Sequence, residues 1–218
     1  MNRTVIAILT WNRLDKLRET LDTFFTHNGR EGHDIFILDN GSNESSTLQF
    51  IQRKKIATSV FRSNTNLGVY NGTMLLWRKC HEAKYDFILN LQNDFPSIAP
   101  VPFKELENYL DRSVDVGFVR LNDKVEQKKN IVTEQEIVRR PFVKIGAGYK
   151  VSKYNYHMSF NPYIFKAWMV PLFYTNQEKM RERGIMEKFD QTGLLGAKIK
   201  PNCFRTYPQQ KRHEGWIR

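Results

Sequence analysis

Short strand-like runs alternate with segments of helical spacing through the first half of the chain, and this alternation constrains the fold more than any other feature. Val5-Ile6-Ala7-Ile8-Leu9, Ile35-Phe36-Ile37-Leu38, the segment near Thr58 to Arg62, and Phe87-Ile88-Leu89-Asn90-Leu91 are too short for helices and are bounded by polar residues. They read as strands of a buried sheet. Between them, Leu14, Leu17, Leu21, Phe24 and Phe25 share one helix face, with Asn12 as N-cap and Asn28-Gly29 as the stop. A short helix over 45–54 and a longer one from Val69 to Ala83 complete the pattern. The expectation is an α/β fold with a mainly parallel, Rossmann-like central sheet and helices on both faces.

After Asp94 the pattern loosens. Pro96, Pro100 and Pro102 mark a loop, 103–111 reads as helix and Val114 to Leu121 as strand. A charged stretch from Asn122 to Arg140 reads as a solvated excursion. The aromatic stretch Tyr154 to Phe173, a helix from Asn176 to Arg183 and a basic tail follow. The 218 residues are expected to form a single domain with a regular half, 1–95, and a less regular half, 96–218.

Lys and Arg total 34 against 23 acids, a net charge of +11 that favours an anionic partner: a nucleotide, a nucleic acid or a membrane face. Cys80 and Cys203 have neither disulfide-framework nor metal-site spacing and read as reduced thiols. No signal-like segment and no apolar run of ~20 residues occurs, so the expectation is a cytoplasmic protein whose membrane contact is at most peripheral.

Polar clusters close three of the strands: Thr10-Trp11-Asn12-Arg13, Asp39-Asn40-Gly41-Ser42 and Gln92-Asn93-Asp94. Ligands of open parallel sheets bind beyond the carboxyl ends of the strands, so these clusters are expected to line one crevice. Neither a dinucleotide-binding glycine fingerprint nor a P-loop is present. A diphosphate bound there would need another counter-charge, and an oxygen-ligated divalent cation is the natural candidate.

The stretches VIAILTWNRLDKLRETLDTF, DIFILDNGSNESS, NTNLGVYNGTMLLWRKC and YDFILNLQNDF, in this order, resemble the nucleotide-sugar glycosyltransferases of the GT-A fold, in particular the inverting enzymes of family 2. The resemblance covers roughly the first 95 residues and is loose beyond them. It implies transfer of a sugar from a nucleotide-diphosphate donor, a UDP-sugar first and a dTDP-sugar second, to a hydroxyl of a glycan or other glycoconjugate. No nucleic-acid partner is implied.

Residue by residue, the resemblance puts Thr10, Asn12 and Arg13 beside the nucleotide. Asp39, within Asp39-Asn40-Gly41, would accept a hydrogen bond from the base N3–H, which uracil and thymine have and cytosine lacks. Asp39-Asn40-Gly41-Ser42 taken alone reads as a plain turn, and within the whole pattern as the site. Asn66, Gly68 and Asn71 match the family's N-x-G-x-x-x-N, where a glycine lets backbone approach phosphate or sugar oxygens at a helix start. Gln92-Asn93-Asp94 stands at the family's Asp-x-Asp metal motif, which implies Mn²⁺ or Mg²⁺ as cofactor. Only Asp94 keeps its charge there; Gln92 offers a carbonyl oxygen.

An inverting transfer needs a base for the acceptor hydroxyl. Met186-Glu187-Lys188-Phe189-Asp190 stands near the family's acidic motif at a helix start, which leaves Glu187 and Asp190 as candidates, or as acids on a solvated face. Late in the chain His213 matches a histidine that completes the metal shell in several relatives, and Ser159 to Tyr163 matches the acceptor-facing segment. The competing expectation is a basic module for RNA or anionic surfaces without catalysis. No RNP, KH or zinc-knuckle pattern supports it.

Overall fold

The structure, a computed structural model, describes residues 3–53, 56–122, 142–154, 158, 160–174 and 182–205. The first half contributes β1 (Thr4–Thr10), α1 (Leu14–Asn28), β2 (Asp34–Asp39), α2 (Ser45–Arg53), β3 (Ser59–Arg62), α3 (Gly68–Glu82) and β4 (Phe87–Gln92), in the expected alternation. The second half adds α4 (Phe103–Arg112), β5 (Val116–Arg120), β6 (Val143–Gly146), β7 (Tyr149–Tyr154), β8 (Tyr163–Lys166), a 3-10 helix (Ala167–Phe173), α5 (Glu182–Asp190) and β9 (Leu195–Lys200).

The nine strands among the described residues join one sheet, ordered β3-β2-β1-β4-β8-β5-β9-β7-β6. β1 to β4 are mutually parallel, β8 lies antiparallel between β4 and β5, and β9 runs parallel to β5. The second half is therefore more regular than its sequence suggests. β8 is hidden in the aromatic stretch because Tyr163, Ile164 and Phe165 are all buried, which removes the alternation that marks a half-exposed strand. The expected helix from Asn176 to Arg183 falls mostly on residues outside those described, as does the stretch from 123 to Arg140; the helix seen is Glu182–Asp190.

Two cores cover the two faces. Ile6 and Ile8 of β1 point to one, packed against Leu17, Leu21 and Phe24 of α1 and Leu106 and Leu110 of α4. Val5, Ala7 and Leu9 point to the other, with Leu76, Trp77 and Cys80 of α3 and Ile185 and Phe189 of α5. Burial on both faces explains why β1 reads as an unbroken apolar run. Cys80 and Cys203 are free and buried, and burial pushes the Cys203 thiol up to about 12. Among the described residues no helix is long and apolar enough to cross a membrane.

Strand order reverses at β1, which has β2 on one side and β4, reached through α3, on the other. The reversal opens a crevice where Thr10, Asp39 and Gln92 end their strands on one edge.

Candidate active site

The loop leaving β1 is held by side chains from its neighbours. Asn12 and Arg13 both have left-handed backbones, with φ 51° and 58°. The Asn12 N–H donates to Ser42 Oγ at 2.7 Å, and Asn12 Oδ1 accepts from the Asn43 and Glu44 N–H groups at 3.0 and 3.2 Å. Asn12 thus secures the loop after β2 and does not cap α1, contrary to expectation. Arg13 occupies the capping position without a side-chain cap bond. Buried Asn93 ties β4 to β1: its Nδ2 donates to Thr10 Oγ1 at 3.2 Å and to Asn12 O at 3.3 Å, and its backbone carbonyl accepts from Thr20 Oγ1.

After β2, the buried Asn40 amide is spent at both ends. Its Nδ2 donates to Asn66 Oδ1 and Gly68 O at 3.0 and 3.1 Å, and its Oδ1 accepts from the Leu67 N–H at 3.1 Å. Asn66 Oδ1 also accepts from the Gly68 N–H at 2.8 Å. Asn40 and Asn66 therefore bracket two loops together. Gly41 sits in their midst with φ +77°, and a Cβ there would lie 2.4 Å from the Thr65 carbonyl carbon. Gly68 opens α3 with φ +76° and open space around it, while Asn71 is exposed one turn into the helix.

Asp39 is 1% exposed. Its Oδ1 accepts from the Ser42 N–H at 3.0 Å in an Asx turn, while Oδ2 has no hydrogen bond and lies 3.4 Å from Arg62 Nε in an ion pair. Arg62 was not singled out from the sequence. It is the register partner of Asp39 on β3, and its Nη2 donates to Ser42 O at 3.3 Å, so only the parallel pairing of β2 with β3 could have revealed it.

Between the β1 and β4 ends a cleft is lined by Thr10, Trp11, Arg13, Val69, Gln92 and Asn93, among others. Asp94 stands at its rim, 3.5 Å from Arg13 Nη1. Burial pushes the Asp94 carboxyl up, and the Arg13 and Lys16 charges draw it partly back. The described residues contain no cluster of three metal-ligating side chains. One carboxylate with a neighbouring amide carbonyl suits a cation carried in on a diphosphate, which keeps most of its ligands from phosphate and water, and does not make an all-protein cage. His213 lies outside the described residues, and so does Ser159.

Glu187 and Asp190 are not brought to this crevice. They lie on the last two turns of α5, which leads into β9 at its start, where the Leu195 N–H donates to Asp115 O beside the start of β5. That is the opposite edge of the sheet, about 20 Å away over six strand residues. Glu187 is exposed and pairs with Arg183 at 2.9 Å. The family's motif stands at a helix start, whereas these two acids stand toward the end of α5.

The fold is that of the GT-A nucleotide-sugar glycosyltransferases. S. aureus TarS 1-349 in complex with UDP superposes with TM-score 0.66 at 14% identity, over 93% of this chain and 59% of that one. The same protein in complex with UDP-GlcNAc gives 0.68 at 13% identity, over 100% of this chain and 62% of that one. GalNAc-T7 with UDP, GalNAc and Mn²⁺ gives 0.64 at 13%, over 90% and 43%. The chain thus spans about three fifths of the TarS chain and less than half of GalNAc-T7. No family model and no curated protein sequence matches it.

Proposed function

We propose that this chain is a nucleotide-sugar glycosyltransferase that moves a sugar from a UDP-sugar to an acceptor hydroxyl with inversion. One observation carries the reading: a carboxylate oxygen without a hydrogen bond, Asp39 Oδ2, is buried at the strand ends of a GT-A crevice. Arg62 gives that oxygen an opposite charge at 3.4 Å but no hydrogen bond, and the N3–H of uracil is a donor that would supply one. Arg62, half exposed, pairs with this carboxylate, and its Nη2 donates to Ser42 O in the loop that Asn12 secures.

Thr10, Asn93, Asn40 and Asn66 keep the crevice walls at fixed spacing, so the nucleotide meets a preformed site. Gly68 and Asn71 open α3 toward the sugar and phosphates. At the other wall Arg13 faces the diphosphate, and Asp94, with the Gln92 carbonyl and His213 as further candidates, would hold Mn²⁺ or Mg²⁺. When bound, such a cation offsets the charge that grows on the leaving diphosphate. Residues 1–95 thus take the donor and 96–218 the acceptor, a hydroxyl of a glycan or glycoconjugate.

A donor-hydrolysis screen tests this reading. With Mn²⁺ present, UDP-sugars should be cleaved faster than dTDP-sugars and far faster than GDP-sugars. Absence of both cleavage and UDP binding would discard it.

A further inference from the structure

One row of register partners crosses the sheet on the α3 side: Ala7, Asn90, Tyr163, Arg120, Lys198 and Ser152. On β4 the row is covered by α3, where Trp77 Nε1 donates to Asn90 Oδ1 at 2.9 Å. From β5 outward it turns cationic. Two residues further along β9, Lys200 stands opposite Lys150 of β7. Strand alternation puts these four cations on one face, because Val119, Ala197, Ile199 and Val151 fill the core on the other. The Lys150 and Lys200 ammonium groups both lie over the Phe142 ring, at 5.3 and 5.2 Å.

Burial and the neighbouring charges of Lys200 and Arg120 lower the Lys198 ammonium to about 8. Arg120, Lys198 and Lys200 are partly buried and Lys150 is exposed; gathering like charges there works against the folded state, and a bound anion reverses that cost. The strip also has a useful address. Arg120 is joined through Tyr163 to Asn90, two residues before Gln92 at the crevice, and β9 is three strand spacings, about 14 Å, from β4. A group held there is one or two sugar units from the donor, on the side of the second half.

We propose that Arg120, Lys150, Lys198 and Lys200 form an anion subsite that holds a phosphate group of the acceptor while its hydroxyl meets the donor sugar. This inference rests on the glycosyltransferase reading above. A phosphate monoester carries about −1.5 to −2, a charge that suits a group of cations on one face. The planar Arg120 guanidinium and the lysine point charges together suit such a group.

The test uses the full chain with 13C-methylated lysines and inorganic phosphate as probe, and UDP titrated separately. In Lys198→Ala/Lys200→Ala the phosphate Kd should rise at least tenfold while UDP affinity stays within twofold. Lys104→Ala/Arg112→Ala, which removes two charges from exposed positions on α4, should leave phosphate binding within twofold. No phosphate binding by the wild type, or equal losses in both double variants, overturns the subsite. A parallel loss of UDP affinity in the strip variant assigns the cations to the donor and overturns it too. If the wild type binds phosphate through the strip but never binds UDP, the anion site stands and the transferase reading falls.

Discussion

Arg13 and Asp94 face each other across the gap between β1 and β4, with Nη1 3.5 Å from Oδ2. The pair places a cation and an anion where a diphosphate and its counter-ion would meet, and each partner satisfies the other until they arrive. A metal at Asp94 would release Arg13 toward phosphate. Chelator should therefore lower donor cleavage and added Mn²⁺ or Mg²⁺ restore it. Asp94→Asn should lower turnover on the order of 10²-fold and abolish the metal response, with Gln92→Ala milder. Unchanged activity in excess chelator would assign the phosphates to Arg13 alone.

Gly41 is the tightest point of the crevice wall. Alanine there must adopt φ +77° and push its Cβ into the Thr65 backbone. Gly41→Ala should destabilise the fold by about 1–3 kcal/mol and weaken UDP binding through the displaced loop. Denaturant unfolding and calorimetry check the two effects; a variant as stable as the wild type contradicts the packing.

Glu187 and Asp190 belong to the far edge of the sheet. Glu187→Gln and Asp190→Asn should each keep turnover within about threefold of wild type, well short of the ~10²–10⁴-fold loss that removal of a general base brings. A large loss in either, with UDP affinity intact, would show that α5 supplies the base after all.

How far the site was legible depended on whether a residue's role is local. The crevice edge was readable because β1, β2 and β4 are apolar runs that stop at polar clusters, and Gly41 was readable as a turn. The partners were not. Asn12 resembles an N-cap in sequence, yet its amide serves the loop at Asn43 and Glu44; Asn40 and Asn66 bond each other, and Asn93 reaches Thr10 and Asn12. Arg62 gains its meaning from lying beside Asp39 in the sheet. The same holds for Arg120 and Lys198, which are ordinary basic residues until β5 and β9 pair. The family's acidic motif stands at a helix start, whereas Glu187 and Asp190 stand in the last turns of α5, which no local pattern in the sequence marks.

Lys198 links the cationic strip to stability. Its folded value of about 8 lies below the ordinary 10.5, under the influence of burial, Lys200 and Arg120. Below pH 8 both states are protonated and the folded state bears the full penalty. Between 8 and 10.5 the unfolded chain holds more protons, so stability rises with pH as the penalty disappears. Lys198→Gln should raise Tm by about 2–4 °C at pH 7, with the gain narrowing as pH approaches 10.5. A variant less stable than wild type at pH 7 contradicts this.

Recognition of the base at Asp39 is the centre of the account, and calorimetric titration of UDP and CDP into wild type and Asp39→Ala tests it most directly. The wild type should prefer UDP, and Asp39→Ala should lose about 1–3 kcal/mol of UDP affinity while CDP affinity barely changes, so that the preference collapses. Equal UDP and CDP affinities in the wild type, or a preference that survives Asp39→Ala, would contradict it.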